Sequence, residues 1–293
     1  MKKQKLVLAL GASVAASTSL LAATSERYVY DASGNIVEKQ LGDQVTNFDY
    51  TGNILKGSSF NAEQKQYRYD EAGRLVGESK GGQIVRELTY QFADKVTKVK
   101  NNGESSELFY NAEGQLVGTK SAGKTESFAW DGLALVSRGA KSYTIEEHIV
   151  GGVPAMIGNG VTVSDMIGST LSVGKESYSG TVFGEGLENG LFTGKPFVEE
   201  LGGFIFKYRN YSPFKIRWTS SDPSGYPDGS NSHIYVKNDP INFFDLLGLA
   251  ACEPPTRTEW TPDIPLQPGG NSNNQNNGTS RKAKQQYLSL IHI

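Results

Sequence analysis

An all-β fold of stacked hairpins is what this sequence predicts, on three observations. Glycine occurs 34 times in 293 residues, above the average share of about 7%, which marks many turns. The 14 tyrosines and 13 phenylalanines favour strands. A motif with a period of roughly 20 residues recurs between Tyr30 and Leu135.

The motif first reads Tyr30-Asp31-Ala-Ser-Gly34-Asn-Ile36. It returns as Phe48-Asp49-Tyr-Thr-Gly52-Asn-Ile54 and as Tyr69-Asp70-Glu-Ala-Gly73-Arg-Leu75. Two looser copies follow, Tyr90-Gln91-Phe-Ala-Asp94-Lys-Val96 and Tyr110-Asn111-Ala-Glu-Gly114-Gln-Leu116, then a degenerate sixth, Trp130-Asp131-Gly-Leu-Ala-Leu135. The copies start 18, 21, 21, 20 and 20 residues apart, the spacing of a stacked repeat. Within one unit the aspartate can bond the backbone ahead of it, and the glycine supplies the positive φ that closes a turn. Flanking runs such as Gln66-Tyr67-Arg68-Tyr69 alternate polar and apolar residues, as a half-buried strand does. A lone hairpin is marginal, so the units should pair edge to edge into one ribbon. The aromatics are expected on its buried face and the aspartates as turn caps. Gly73 is placed at a positive-φ turn position, and Gly123 in an exposed turn where substitution matters less.

Charge and chemistry exclude several classes. The balance of 29 basic and 31 acidic residues, with a pI near 6.0, leaves no basic excess to release counterions from nucleic acid. The single cysteine, Cys252, excludes an intrachain disulfide, and no Cys/His cluster has metal-ligand spacing. His148, His233 and His292 are scattered, and the first two read as strand or turn residues. No metal and no cofactor are expected.

The ends read differently from the middle. Lys2, Lys3 and Lys5 precede an uncharged stretch from Leu6 to Ala23, the layout of a signal peptide over residues 1–25. The mature chain is expected to be secreted or held at the cell surface, with no membrane span. After Ala250 the chain turns to Pro, Asn, Gln and Gly, so residues 250–287 read as a variable disordered tail. The last six residues, 288–293, look like a translated sequencing adapter.

The Tyr-Asp-x-x-Gly units resemble the YD repeats of the Rhs family, which includes the C components of insecticidal toxin complexes, bacterial Rhs effectors and the teneurins. Later segments resemble the family's repeat-associated core. They are Arg209-Asn-Tyr211-Ser-Pro213, Arg217-Trp-Thr-Ser-Ser-Asp222-Pro223 and Asn238-Asp-Pro240-Ile-Asn-Phe-Phe-Asp245-Leu-Leu-Gly248-Leu249. The resemblance implies a YD-repeat β-ribbon over 26–145, a curved partial shell closed by a core over 146–249. It also implies an aspartyl autoprotease that releases the C-terminal segment after Leu249, with Arg209, Asp222 and Asp245 as its catalytic residues. Their spacings of 13 and 23 match the family pattern. Two adjacent carboxylates can share a proton, one acting as acid and the other as base, while an arginine stabilises the ionised one. Leu246 stands where the family has proline, and Ile216 where it has glycine.

Six units supply about 12 strands, a ribbon of roughly 58 Å at ~4.8 Å per strand. A shell around a cargo of ~100 residues needs a circumference of about 138 Å, so this chain cannot enclose one alone. Two kinds of function stay open on the sequence. One is an exported effector scaffold with a self-cleaving core, whose partners are its own tail and other Rhs or toxin-complex chains. The other is a non-enzymatic surface protein that binds carbohydrate or protein, or an inactive remnant.

Overall fold

The computed structural model describes residues 3–7, 25–92, 94–146 and 152–253. Most of the expected signal peptide, His148, His292 and the tail from 254 onward lie outside these residues. Eighteen strands form one antiparallel sheet. Each pairs with the next in sequence, from Glu26–Tyr30 through Ile36–Leu41, Gln44–Thr51, Ile54–Phe60 and onward to Glu176–Ser177. The first of the eighteen, Lys3–Val7, pairs through its backbone with Glu26–Tyr30 and lies inside the segment that the expected cleavage would remove. No pairing joins the two outermost strands among the described residues, so the sheet stays open.

The turns explain the order. The Asp31 carboxylate accepts the backbone N–H groups of Ser33 and Asn35 at 2.9 and 2.8 Å. Asp70 does the same for Ala72 and Arg74, and Asn111 for Glu113 and Gln115. Gly73 closes its turn at φ 73°, a region that a β-branched residue avoids. Gly123 sits at φ 78°, so the two expected turn glycines share the strained backbone and differ in surroundings. A Cβ on Gly73 would strike the Ser221 hydroxyl, whereas one on Gly123 meets open space.

Two units depart from the expected register. Asp49 and Asp131 lie within the strands Gln44–Thr51 and Lys124–Asp131 instead of capping turns. Tight turns follow at Gly52-Asn53 and Gly132-Leu133, flanked by the pairs Thr51↔Ile54 and Asp131↔Ala134. Between the paired aromatic and aliphatic residues these turns hold four residues instead of five, and in the second unit the aromatic that matches Tyr30 is Tyr50 rather than Phe48. The cross-turn pairs show the regularity: Tyr30↔Ile36, Tyr50↔Leu55, Tyr69↔Leu75, Tyr90↔Val96, Tyr110↔Leu116 and Trp130↔Leu135. A bulge precedes the aromatic in all six, which increases the local twist. Tyr50 and Tyr110 donate their hydroxyls, and Trp130 its indole N–H, to the carbonyls of Ile36, Val96 and Leu116 in the preceding unit. The aliphatic partners, each 3% exposed or less, line the inner face. Each such side chain contributes about 1.5–3 kcal/mol by burial.

The sheet also runs past residue 145. Strands Pro154–Ile157, Gly160–Ser164, Thr170–Val173 and Glu176–Ser177 continue it. Asp165 closes a turn of the same kind, accepting Ile167 and Ser169 N–H groups at 3.1 and 2.7 Å. Ser164 stands there in place of the aromatic, which hides the motif from a search by period.

From Tyr178 onward the chain packs on the inner face. Five short strands, Leu191–Phe192, Lys195–Val198, Gly203–Ile205, Asn210–Ser212 and Arg217–Trp218, form a second antiparallel sheet. It is built around Phe192, Phe204, Phe206, Tyr211, Trp218 and Tyr235. This plug reaches distant strands at once: Glu185 pairs with Lys39, and the Phe197 carbonyl accepts a hydrogen bond from Arg138. Ten strand spacings separate Lys39 from Arg138 in the sheet, about 48 Å if flat. The segment between Glu185 and Phe197 folds through turns and cannot span that. The sheet therefore curves around the plug.

Candidate active site

Three local structures deliver the expected catalytic residues. Arg209 ends the turn before strand Asn210–Ser212, held by the hydrogen bond from the Phe206 N–H to its carbonyl. Asp222 opens a turn just after Arg217–Trp218, accepting the Ser224 N–H at 2.8 Å. Asp245 ends strand Phe244–Asp245, and the chain then reverses so that Ala251–Cys252 pairs back on it, with Asp245 opposite Ala251. Gly248 makes this reversal at φ 83° with its backbone against Phe206 and Arg209, where a side chain has little room.

All three residues meet. One guanidinium nitrogen of Arg209 lies 2.7 Å from Asp222 Oδ2 and 3.6 Å from Asp245 Oδ2. The side chains are 2%, 4% and 2% exposed, respectively. Arg209 is fixed from every side. Its Nε donates to the Gly248 carbonyl, one terminal nitrogen to that of Ser232, and its plane stacks 4.2 Å from the Trp218 ring centre. Such planar, multiply bonded fixing suits arginine and not lysine.

Electrostatics set Asp245 apart from an ordinary carboxylate. Burial pushes Asp245 up to about 6, against the opposing pull of Arg209 and of the backbone N–H groups of Gly248, Leu249 and Leu247. Near neutrality it therefore holds or releases a proton readily. Arg209 itself is drawn down from its ordinary range by burial, opposed by Asp245, Asp222 and Asp228.

Two residues absent from the sequence-based set stand at the same place. The Ser224 hydroxyl lies 2.5 Å from Asp222 Oδ1 and 3.4 Å from the Leu249 carbonyl oxygen. Both oxygens of Asp228 accept the Ala251 N–H, at 3.1 and 2.9 Å. In sequence Asp228 sits between Pro227 and Gly229 and reads as an ordinary turn residue; its position six residues after Asp222 was the available signal. His233 lies in a turn, its ring nitrogens near the Ser221 hydroxyl and the Trp218 carbonyl. Burial pulls its pKa down to about 3, which keeps it neutral. Among the described residues no cluster of three or more His, Cys, Asp or Glu side chains could hold a metal ion.

A family model described as the Teneurin YD-shell matches residues 18–131. The toxin subunits YenC2 and YenC1 of Yersinia entomophaga are 39% and 43% identical over 49 residues. That stretch is 17% of this chain, and the chain spans only 5% of either relative. Among solved structures, the TcdB2-TccC3-TEV crystal structure is 14% identical, with a TM-score of 0.44, over 77% of this chain and 17% of that one. A Photorhabdus luminescens Tc holotoxin pore gives the same identity and TM-score over 78% of this chain and 17% of that one. With its repeated turns, the sheet they build and these sequence matches, residues 18–131 form a YD-shell repeat segment, and the chain is similar over 49 residues to subunits of toxin complexes.

Proposed function

We propose that the chain is the scaffold of an exported, toxin-associated cassette, and that its core cuts its own backbone between Leu249 and Ala250. One observation carries the reading. Arg209, Asp222 and Asp245 converge in a buried cluster, and the reversal after Asp245 returns Leu249 and Ala250 to that cluster. With Arg209 against it, Asp222 serves as the base and takes a proton from water. The hydroxide adds to the Leu249 carbonyl carbon. Asp245, protonated below about 6, gives its proton to the Ala250 nitrogen as the bond breaks, leaving a carboxylate and an amine. The downstream tail is the substrate and cleavage is a single turnover.

The scaffold half of the proposal rests on size. Without Lys3–Val7, which leader cleavage would remove, seventeen strands at ~4.8 Å make a ribbon of about 82 Å, short of the circumference a cargo domain needs. Other toxin-complex chains would complete the shell.

Intact-mass measurement of the expressed chain beside Asp222→Asn and Asp245→Asn tests the reaction. The wild type should break at Leu249–Ala250, and both variants should stay whole and soluble. A folded wild type that remains uncut over days between about pH 4 and about pH 7 makes the core an inert plug. Variants that still cut at this bond assign the cleavage to another protease.

A further inference from the structure

The hairpin that carries the bond is weakly built. Only two residue pairs, Phe244↔Cys252 and Asp245↔Ala251, hold it, and a two-stranded hairpin of that length is marginal in water. Upstream of the bond, the Asp245 carboxylate accepts the Gly248 N–H at 2.7 Å, and the Ser224 hydroxyl lies 3.4 Å from the Leu249 carbonyl oxygen. Downstream, the Ala251 N–H points away from the ladder into the Asp228 carboxylate, which accepts it with both oxygens. Asp228 is 11% exposed, with Lys237 at 3.8 Å as its counter-charge. The loop that carries it is short and stiff. It opens at Asp222 with the Gly225 N–H bonded to the Asp222 carbonyl, and closes with Gly229 bonded to Tyr226. Pro223 and Pro227 restrict it further.

We propose that Asp228 is a positioning residue of this site, one that holds the peptide downstream of the cut in place by accepting the Ala251 N–H. The proposal rests on the self-cleavage reading. The loop from Asp222 to Asp228 then grips both sides of the bond it breaks. Ser224 stands at the carbonyl side and Asp228 at the amine side, so the base and the clamp move as one unit. Positioning of this kind contributes to rate without touching the reacting atoms.

Cleavage followed by pulse-chase during cell-free synthesis of the full chain tests this. Asp228→Ala should slow the cut by at least about tenfold, the equivalent of one lost hydrogen bond in the transition state. Asp228→Asn keeps an oxygen acceptor and should retain most of the wild-type rate. Ala251→Pro removes the donor without touching the loop and should slow the cut to a similar degree. Combined with Asp228→Ala it should lose nothing more, because both changes delete one bond. Should Asp228→Ala fail to fold, Ala251→Pro carries the test by itself. Full-rate cutting by Asp228→Ala or Ala251→Pro overturns the clamp while leaving the autoprotease intact. So do losses that multiply in the double variant, or an Asn variant as slow as Ala. A wild type that does not cut removes the reaction and the clamp together.

Discussion

In the repeat sheet, Asp70 accepts the backbone N–H groups of Ala72 and Arg74 through one carboxylate oxygen. In the core, Asp245 accepts those of Leu247 and Gly248 in the same manner. The local bonding is alike, yet the electrical outcomes are opposite. For Asp70, partial burial pulls upward but is outweighed by Arg74 and the backbone N–H groups, which hold the carboxyl below its usual range. For Asp245, burial wins and the pKa rises to about 6. A turn-capping aspartate becomes an acid when its surroundings exclude water, and only packing from distant parts of the chain does that. The sheet is assembled from neighbours in sequence. The acid is assembled from residues 13 and 23 positions apart, closed over by Trp218.

The largest test of this contrast removes the arginine in each region. Arg209→Met leaves two buried carboxylates without their cation and should destabilise by about 3–5 kcal/mol. Arg74→Met exposes a turn carboxylate to water and should cost about 1 kcal/mol or less. Urea unfolding of both variants measures the difference, and equal losses would erase the distinction between the regions.

Gly73→Val comes next. Strain at positive φ should cost more than ~1 kcal/mol there and at Gly123 alike. The further collision with Ser221 should make Gly73 the worse of the two in thermal unfolding. If Gly123→Val is as damaging, the sheet's contact with the plug at this turn contributes nothing.

The two aspartates should also respond to pH with opposite sign. The folded pKa of Asp245 lies above its ordinary 3.8, so the stability it adds is complete below that value and is lost as pH rises through about 6. Asp70 is lowered, so its contribution is present above about 3.8 and is lost as pH falls through its folded value. Region-resolved hydrogen exchange, corrected for intrinsic rates, should show core protection falling between about pH 4 and about pH 7 while Asp70-turn protection holds, the latter weakening only when the pH is taken below about 3.8. Self-cleavage should decline as pH passes about 6, and Asp70→Asn should leave that profile unmoved.

The smallest effect separates two aspartates that look equivalent in the repeat. Asp31→Ala deletes a turn cap and should cost about 1 kcal/mol. Asp49→Ala, on an exposed strand position, should change stability by less than about 0.5 kcal/mol. Similar denaturation midpoints for the two would refute the displaced register of the second unit.

Much of the sheet was readable because its causes are local. Asp-x-x-Gly dictates a turn wherever it occurs, and alternation dictates which face of a strand is apolar. Where the local cue weakened, so did the reading. The tight turn at Gly52-Asn53 shifted the aromatic from Phe48 to Tyr50, and the serine at position 164 concealed the continuation of the sheet past 145. Arg209, Asp222 and Asp245 were readable only by their resemblance to a family pattern, since nothing in their spacing says that they touch. Ser224 and Asp228 look like any turn residues between prolines and glycines, and only their nearness to Asp222 in the chain hinted at a place in the site.

The amino-acid order by itself determined the hairpins, their sequence-neighbour pairing and the apolar inner face, because turn chemistry and side-chain alternation act within a few residues. Only the tertiary structure decided that the sheet wraps a plug, that one arginine holds two carboxylates, and that Asp245 keeps its proton to about 6 while Asp70 does not. Those outcomes depend on excluding water, and water is excluded by the whole fold closing around a group, not by its neighbours in the chain.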